Sequence, residues 1–111
     1  MLEEKDWCDE DTSHELWIMG LEPDVYYDGP YVLLYEAQKF LIEKFNIHIS
    51  VRLIGTTAIM GLQTCNMGQN NKTIHERFFL VDIANAKFRY EHILLEGIKD
   101  AIKYIKDNKL Q

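Results

Sequence analysis

The sequence predicts an α+β fold, a small antiparallel sheet of three to four strands with two amphipathic helices packed on one face. Two stretches, at residues 31–45 and 90–105, repeat apolar residues at spacings of three and four, which is the period of a helix that faces a core. Between them, residues 47–53 alternate strictly between apolar and polar, as a half-buried strand does. At 111 residues the chain has the length of one domain.

The start of the chain is acidic. Residues 1–14 are expected to form a mobile acidic segment, and residues 15–111 a single α+β domain. Large apolar side chains at residues 16–19 predict a buried strand over residues 15–21, because they leave no polar face. A short helix is the alternative, since Thr12 and Glu15 have the spacing of a capping box.

The first amphipathic helix is predicted over residues 31–45. Asp28 can cap it, and Pro30 suits its first turn, where no backbone N–H is needed. Asn46 can adopt the left-handed conformation that ends many helices. The helix is expected to carry Glu36 on its polar side and to bury six apolar residues: Leu33, Leu34, Ala37, Phe40, Leu41 and Phe45.

Three strands are expected to follow this helix. The first has four residues on its core face: Ile47, Ile49, Val51 and Leu53. A turn at residues 55–57 leads to a second strand near residues 58–65, where Gly61 indicates a bulge or a close backbone approach. Residues 66–73 are rich in Asn, Gln and Gly, which predicts an exposed loop before a third strand at residues 77–83.

Both faces of the third strand are apolar, since Phe78 and Leu80 alternate with Phe79 and Val81. Two helices cover only one face of a sheet, so the other face needs a different cover, and we expect a homo-oligomer. A last helix, capped by Asn85, is expected to bury six residues: Tyr90, Leu94, Ile98, Ala101, Ile102 and Ile105.

The order helix, strand, strand, strand, helix over residues 30–107 is similar to that of the double-stranded RNA-binding domain family. In that family the last helix starts with a basic cluster. Here Lys87 and Arg89 stand beside Glu91 and Glu96, and the preceding chain is strongly acidic. Because phosphate binding needs several Lys and Arg contacts, we expect no nucleic-acid partner.

Composition excludes several classes of site. Cys8 and Cys65 lack the short paired spacing of a zinc or redox motif, and no phosphate loop or serine elbow occurs, so we expect no metal and no cofactor. Acids interrupt the longest apolar stretch, and the first thirty residues do not resemble a signal peptide. These observations predict a cytoplasmic protein that is not inserted in a membrane.

Charge and tyrosine are concentrated in the same part of the chain. Residues 1–36 hold eleven acids and one Lys, a net charge of -10, whereas the remainder holds seven acids and eleven Lys or Arg, a net charge of +4. Such a field can attract a basic protein, and tyrosines are common in recognition surfaces. The predicted partner-binding residues are Asp24, Tyr26, Tyr27, Asp28, Tyr31 and Tyr35, of which Tyr31 and Tyr35 are expected to share a helix face.

The sequence therefore favours a small acidic binding protein that occludes or inhibits a macromolecular partner, as immunity proteins and phage-encoded inhibitors do. One alternative is an oligomeric protein that binds or sequesters a small ligand such as a nucleotide or another anion. That ligand would bind at His48, Ser50, Arg52 and Arg77 beside the loop at residues 66–73. Another alternative is an enzyme whose site forms across a dimer interface, although the absence of a catalytic motif favours a protein that is not an enzyme.

Overall fold

The computed structural model describes residues 7–21, 31–64, 72–80 and 90–109. These residues form, in chain order, helices and strands with the following bounds: α1 (Glu10–Ile18), α2 (Leu34–Phe45), β1 (Ile47–Ile54), β2 (Thr57–Thr64), β3 (Lys72–Leu80) and α3 (Tyr90–Asp107). The strands make an antiparallel sheet in the order β1-β2-β3, and α2 and α3 pack on one face of it. The predicted α+β fold is confirmed.

The register of the strands determines what each face of the sheet carries. β1 and β2 form a hairpin whose turn uses Gly55 at a φ of 61°, a conformation that favours glycine. The four apolar β1 residues share the helix-covered face with Ala58, Met60 and Leu62. Ile47 is fully buried, whereas Leu53, at the far end of β1, is half exposed.

Helix α3 lies very close to the sheet at Gly97. A side-chain carbon at this position would lie 2.7 Å from Ile49 Cγ2 and 3.2 Å from Met60 Cγ. Glycine is therefore required for the close contact between α3, β1 and β2. Tyr90, which the sequence placed on the buried stripe of α3, is exposed at the first turn, and Ile93 is buried instead.

The apolar run near residue 17 belongs to a helix, so the predicted strand over residues 15–21 is wrong and the helical alternative is confirmed. The cap is Asp9, whose carboxylate accepts the Thr12 backbone N–H at 2.8 Å. α1 buries Leu16, while Ile18 is 63% exposed. The run was misleading because only the residues at helical spacing from Leu16 face the core.

α1 packs against α3 and is hydrogen-bonded to α2. On the α3 side, Lys99 pairs with Asp9 at 2.9 Å and Lys106 pairs with Glu15 at 2.5 Å. On the α2 side, Lys44 donates a hydrogen bond to the Met19 carbonyl at the end of α1. Residues 7–14, which form part of the predicted acidic segment, are thus in the packed structure, and residues 1–6 lie outside the described residues.

α2 begins at Leu34, three residues later than predicted. Residues 31–33 are instead extended and pair with the start of the chain, since the Cys8 N–H donates to the Val32 carbonyl at 2.8 Å and Trp7 bridges to Leu33. The Val32 N–H donates to Ser13 Oγ at 2.9 Å. These bonds use backbone groups that a longer helix would need for itself. The proposed cap Asp28 and Pro30 lie outside the described residues.

The end of α2 agrees with the prediction from the sequence, unlike its start. Asn46 has a φ of 56° and ends the helix in the left-handed conformation, as predicted. Leu34, Ala37 and Leu41 are buried. Glu36 was expected on the polar side but is buried as well, which is a correction to the predicted stripe.

β3 is longer at its start than predicted, because Lys72 and Thr73 belong to it and not to the loop. Pairing with β2 shifts by one residue between Leu62 and Gln63, so the bulge lies in β3 at Ile74. Gly61 marks a close approach, since a side-chain carbon there would lie 3.0 Å from Ser50 Oγ. Residues 81–83 of the predicted strand lie outside the described residues.

Candidate functional site

Two of the six predicted partner-binding residues can be placed. Tyr31 and Tyr35 are 46% and 66% exposed. They do not share a helix face, because Tyr31 precedes α2, which begins at Leu34. Asp24, Tyr26, Tyr27 and Asp28 lie outside the described residues, so their role stays a prediction.

Tyr31 is held in place although its ring is exposed. Its ring packs edge to face against Trp7, with 6.4 Å between the ring centroids. The next residue, Val32, is buried and fixed by backbone hydrogen bonds to Cys8 and Ser13. A ring that is already fixed loses little conformational freedom on binding, which suits it to be an anchor.

The outer side of α1 adds residues that the sequence interpretation missed. Glu10 and Asp11 are exposed in its first turn, and Trp17 and Ile18 are exposed near its end. Their spacing of seven is helical, and this signal could have been found once the segment was treated as a helix. We use the name acidic aromatic surface for the following set: Trp7, Tyr31, Tyr35, Glu10, Asp11, Trp17 and Ile18.

Part of the acidic charge is neutralised within the fold. Partial burial favours a higher pKa for Asp9, but its hydrogen bonds with Thr12 and Lys99 outweigh burial and keep this pKa below the usual value. The hydrogen bond to Asp9 raises the pKa of Lys99. Since α3 therefore compensates Asp9 and Glu15, the outward charge of α1 comes mainly from Glu10 and Asp11.

The alternative ligand site is not assembled as predicted. His48, Ser50 and Arg52 do lie together, on the face of the sheet opposite the helices. Arg77 pairs with Met60, so it lies on the helix-covered face. There its guanidinium pairs with Glu96 at 3.1 Å and Asp100 at 3.2 Å, which ties β3 to α3.

Two further side chains that could take part in chemistry, His75 and Cys8, have structural surroundings. His75 Nε2 lies 3.1 Å from an Asp100 carboxylate oxygen that also binds Arg77. Cys8 is buried, and burial, with a smaller effect of Asp9, raises the pKa of its thiol to about 12. A thiol with this pKa is not a nucleophile at neutral pH.

Within the described ranges, no group of three His, Cys, Asp or Glu side chains is arranged to hold a metal ion. None of the helices in these ranges combines the length and apolar character needed to cross a bilayer.

Comparison of the chain with protein-family models, curated proteins and solved structures found no match.

Proposed function

We propose that the protein is a small acidic binding protein that occludes a macromolecular partner with a basic surface, as an immunity protein or a phage-encoded inhibitor does. The observation that carries the proposal is the exposure of Tyr31, whose ring packs on Trp7 just before the acidic first turn of α1, together with the exposure of Tyr35 on α2. Tyrosine combines a large apolar area with a polar tip, and it is enriched among residues that dominate binding energy.

In the acidic aromatic surface, charged and aromatic residues have different roles in binding. Glu10 and Asp11 point outward from the first turn of α1, so they can attract a basic partner over several ångströms. Tyr31 and Tyr35 then supply the apolar surface from which water is displaced when the partner binds. Charge is expected to control the association rate, and the aromatic rings the dissociation rate.

The first experiment uses the immobilised full chain to capture partners from an extract of cells that contain it. The expected partner is a basic protein that the wild type retains and the Tyr31→Ala/Tyr35→Ala variant loses. Tyr90→Ala is the matched control, because Tyr90 is another exposed tyrosine that lies away from α1. It begins α3, more than two helical turns before Lys99, the residue of α3 that pairs with Asp9 at the start of α1. Circular dichroism confirms that each variant is folded.

Binding kinetics with the captured partner then separate the two roles. Glu10→Gln/Asp11→Asn should slow association, and the difference from wild type should shrink as salt screens the charges. Tyr31→Ala or Tyr35→Ala should mainly speed dissociation, and the binding free energy should weaken by about 1–3 kcal/mol if the ring is a buried anchor. If every folded variant binds the partner as wild type does, this surface is not the site. If the wild type retains no basic protein, the proposed function is wrong.

A further inference from the structure

The face of the sheet opposite α2 and α3 is apolar at one end. Ile54, Phe78 and Leu80 are exposed there, with Leu80 at 92%, and Ile59 lies beside Phe78 on the central strand β2. The register places Thr57 between Ile54 and Leu80, and Ile59 between Arg52 and Phe78. We call this side of the sheet the open face. Large apolar side chains that cross three strands in adjacent rows indicate a surface that another molecule covers.

The open face differs in charge from the rest of the protein. Arg52 lies on β1 and Glu76 on β3, and both project from this face, so their charges compensate each other. The whole chain carries a net charge of -6, which makes two copies repel each other at most orientations. Two open faces can approach without this repulsion. The described residues of the open face offer no acidic cluster to a basic partner.

We propose that the open face binds the open face of a second copy of this chain. In the arrangement that fits the register, the two-fold axis runs along β2, so β1 of each copy lies over β3 of the other. Ile54 then faces Leu80 of the second copy, and Ile59 faces its own equivalent. This proposal does not depend on the acidic aromatic surface, which lies on the helix side of the molecule.

The same arrangement pairs the charged residues. Arg52 lies in the row of Ile59 and Phe78, so it faces Phe78 of the second copy, where a guanidinium can stack on the ring. Glu76 of the second copy lies one row away, within reach of the long Arg52 side chain. The two-fold axis produces each of these contacts twice.

The size of the open face sets the expected affinity. Strands about 4.8 Å apart with a rise of about 3.3 Å per residue make a face of roughly 14 by 26 Å. Two such faces would bury roughly 700 Å² in total, below the roughly 1,200 Å² of standard specific interfaces, so we expect a weak dimer that forms in the micromolar range.

Sedimentation velocity of the full chain over about 1–200 μM tests the proposal, because this range brackets the expected affinity. The wild type should change from monomer to dimer. Arg52→Glu and Glu76→Arg should each raise the dimer dissociation constant about tenfold or more, and the double variant should restore it, because the two charges are then exchanged in both copies. Leu80→Ser should weaken the dimer without any change of charge.

Lys103→Glu is the matched control for Arg52→Glu, because it makes the same change of charge at an exposed position of α3. It should leave the dissociation constant within about threefold of wild type, since exposed charges far apart are screened. A wild-type chain that is still monomeric at the highest concentration overturns the proposal. So does a dimer that is insensitive to Arg52→Glu and Leu80→Ser in folded protein, which would place the contact elsewhere.

Discussion

The carboxylate of Asp9 stabilises both the start of α1 and the contact between α1 and α3. It caps α1 by accepting the Thr12 backbone N–H, and it pairs with Lys99 on α3 at 2.9 Å. The cap satisfies a backbone donor that would otherwise lack an intrahelical partner. The ion pair holds the helix against α3, but both side chains are about 40% exposed, so solvent screens it strongly.

Asp9→Ala should lower the free energy of unfolding by about 1 kcal/mol, because it removes the cap. Asp9→Asn should lower it less, since the amide oxygen can still accept the Thr12 N–H. Urea unfolding followed by circular dichroism measures both changes. Equal losses in the two variants would show that the charge, and not the cap, is what matters.

The pH dependence of these variants has a defined sign. The pKa of Asp9 is lower in the folded than in the unfolded chain, so its charge contributes stability above the unfolded pKa of about 3.9. That contribution is lost as the pH falls through the folded pKa. The stability difference between wild type and Asp9→Asn should therefore be full at pH 7 and shrink below about pH 4. A difference that grows toward acid contradicts this assignment.

At the scale of elements, α1 shows that a run of apolar residues, which suggests a buried strand, can form a helix with only one buried side. Leu16 and Met19 face the core, whereas Trp17 and Ile18 between them face outward. Gly20 follows at a φ of 108°, and the Leu21 N–H returns to the Leu16 carbonyl at 3.0 Å, which is a glycine-dependent helix end. The Gly20 position was a signal in the sequence that favoured the helix over the strand.

Leu16→Ala should lower the free energy of unfolding by about 2–5 kcal/mol, because the side chain is fully buried and its removal leaves a cavity. Ile18→Ala, two residues away, should change it by less than about 0.5 kcal/mol, since Ile18 lies mostly in water. Chemical unfolding of the two variants gives the comparison. Similar large losses in both would mean that the segment is buried on both sides, as a central strand is.

At the scale of the whole molecule, one core joins all the described elements. Leu16 of α1, Leu41 of α2, Leu62 of β2 and Ile98 of α3 are each fully buried in it. Four side chains from separate parts of the chain pack together, so none of these elements keeps its full burial if another detaches. α1 is an integral part of this core and not an appended tail.

Unfolding should therefore be a single cooperative transition in urea. Both tryptophans of the chain, Trp7 and Trp17, lie at α1, so fluorescence reports on α1, whereas far-ultraviolet circular dichroism reports on all helices and strands. The two signals should give the same midpoint. An earlier fluorescence transition would show that α1 detaches first and would contradict the single core.

Local patterns in the sequence were sufficient for much of this fold. The alternation at residues 47–53, the turn at Gly55 and the left-handed end at Asn46 each depend on a few neighbouring residues, and all three are confirmed. The same holds for the buried stripe of α3 from Leu94 to Ile105. That Phe78 and Leu80 share one face of the sheet also follows from period-two alternation.

Long-range contacts decided the rest. α2 begins at Leu34 because residues 31–33 bond to Cys8 and Ser13, which are about twenty residues earlier in the chain. Arg77 faces the helices because the register of β3 on β2 places it beside Met60, while Phe78 and Phe79 gave no local preference for either face. Periodicity in a sequence defines how side chains alternate along one element. Only pairing with distant residues defines where that element begins and which side faces the core.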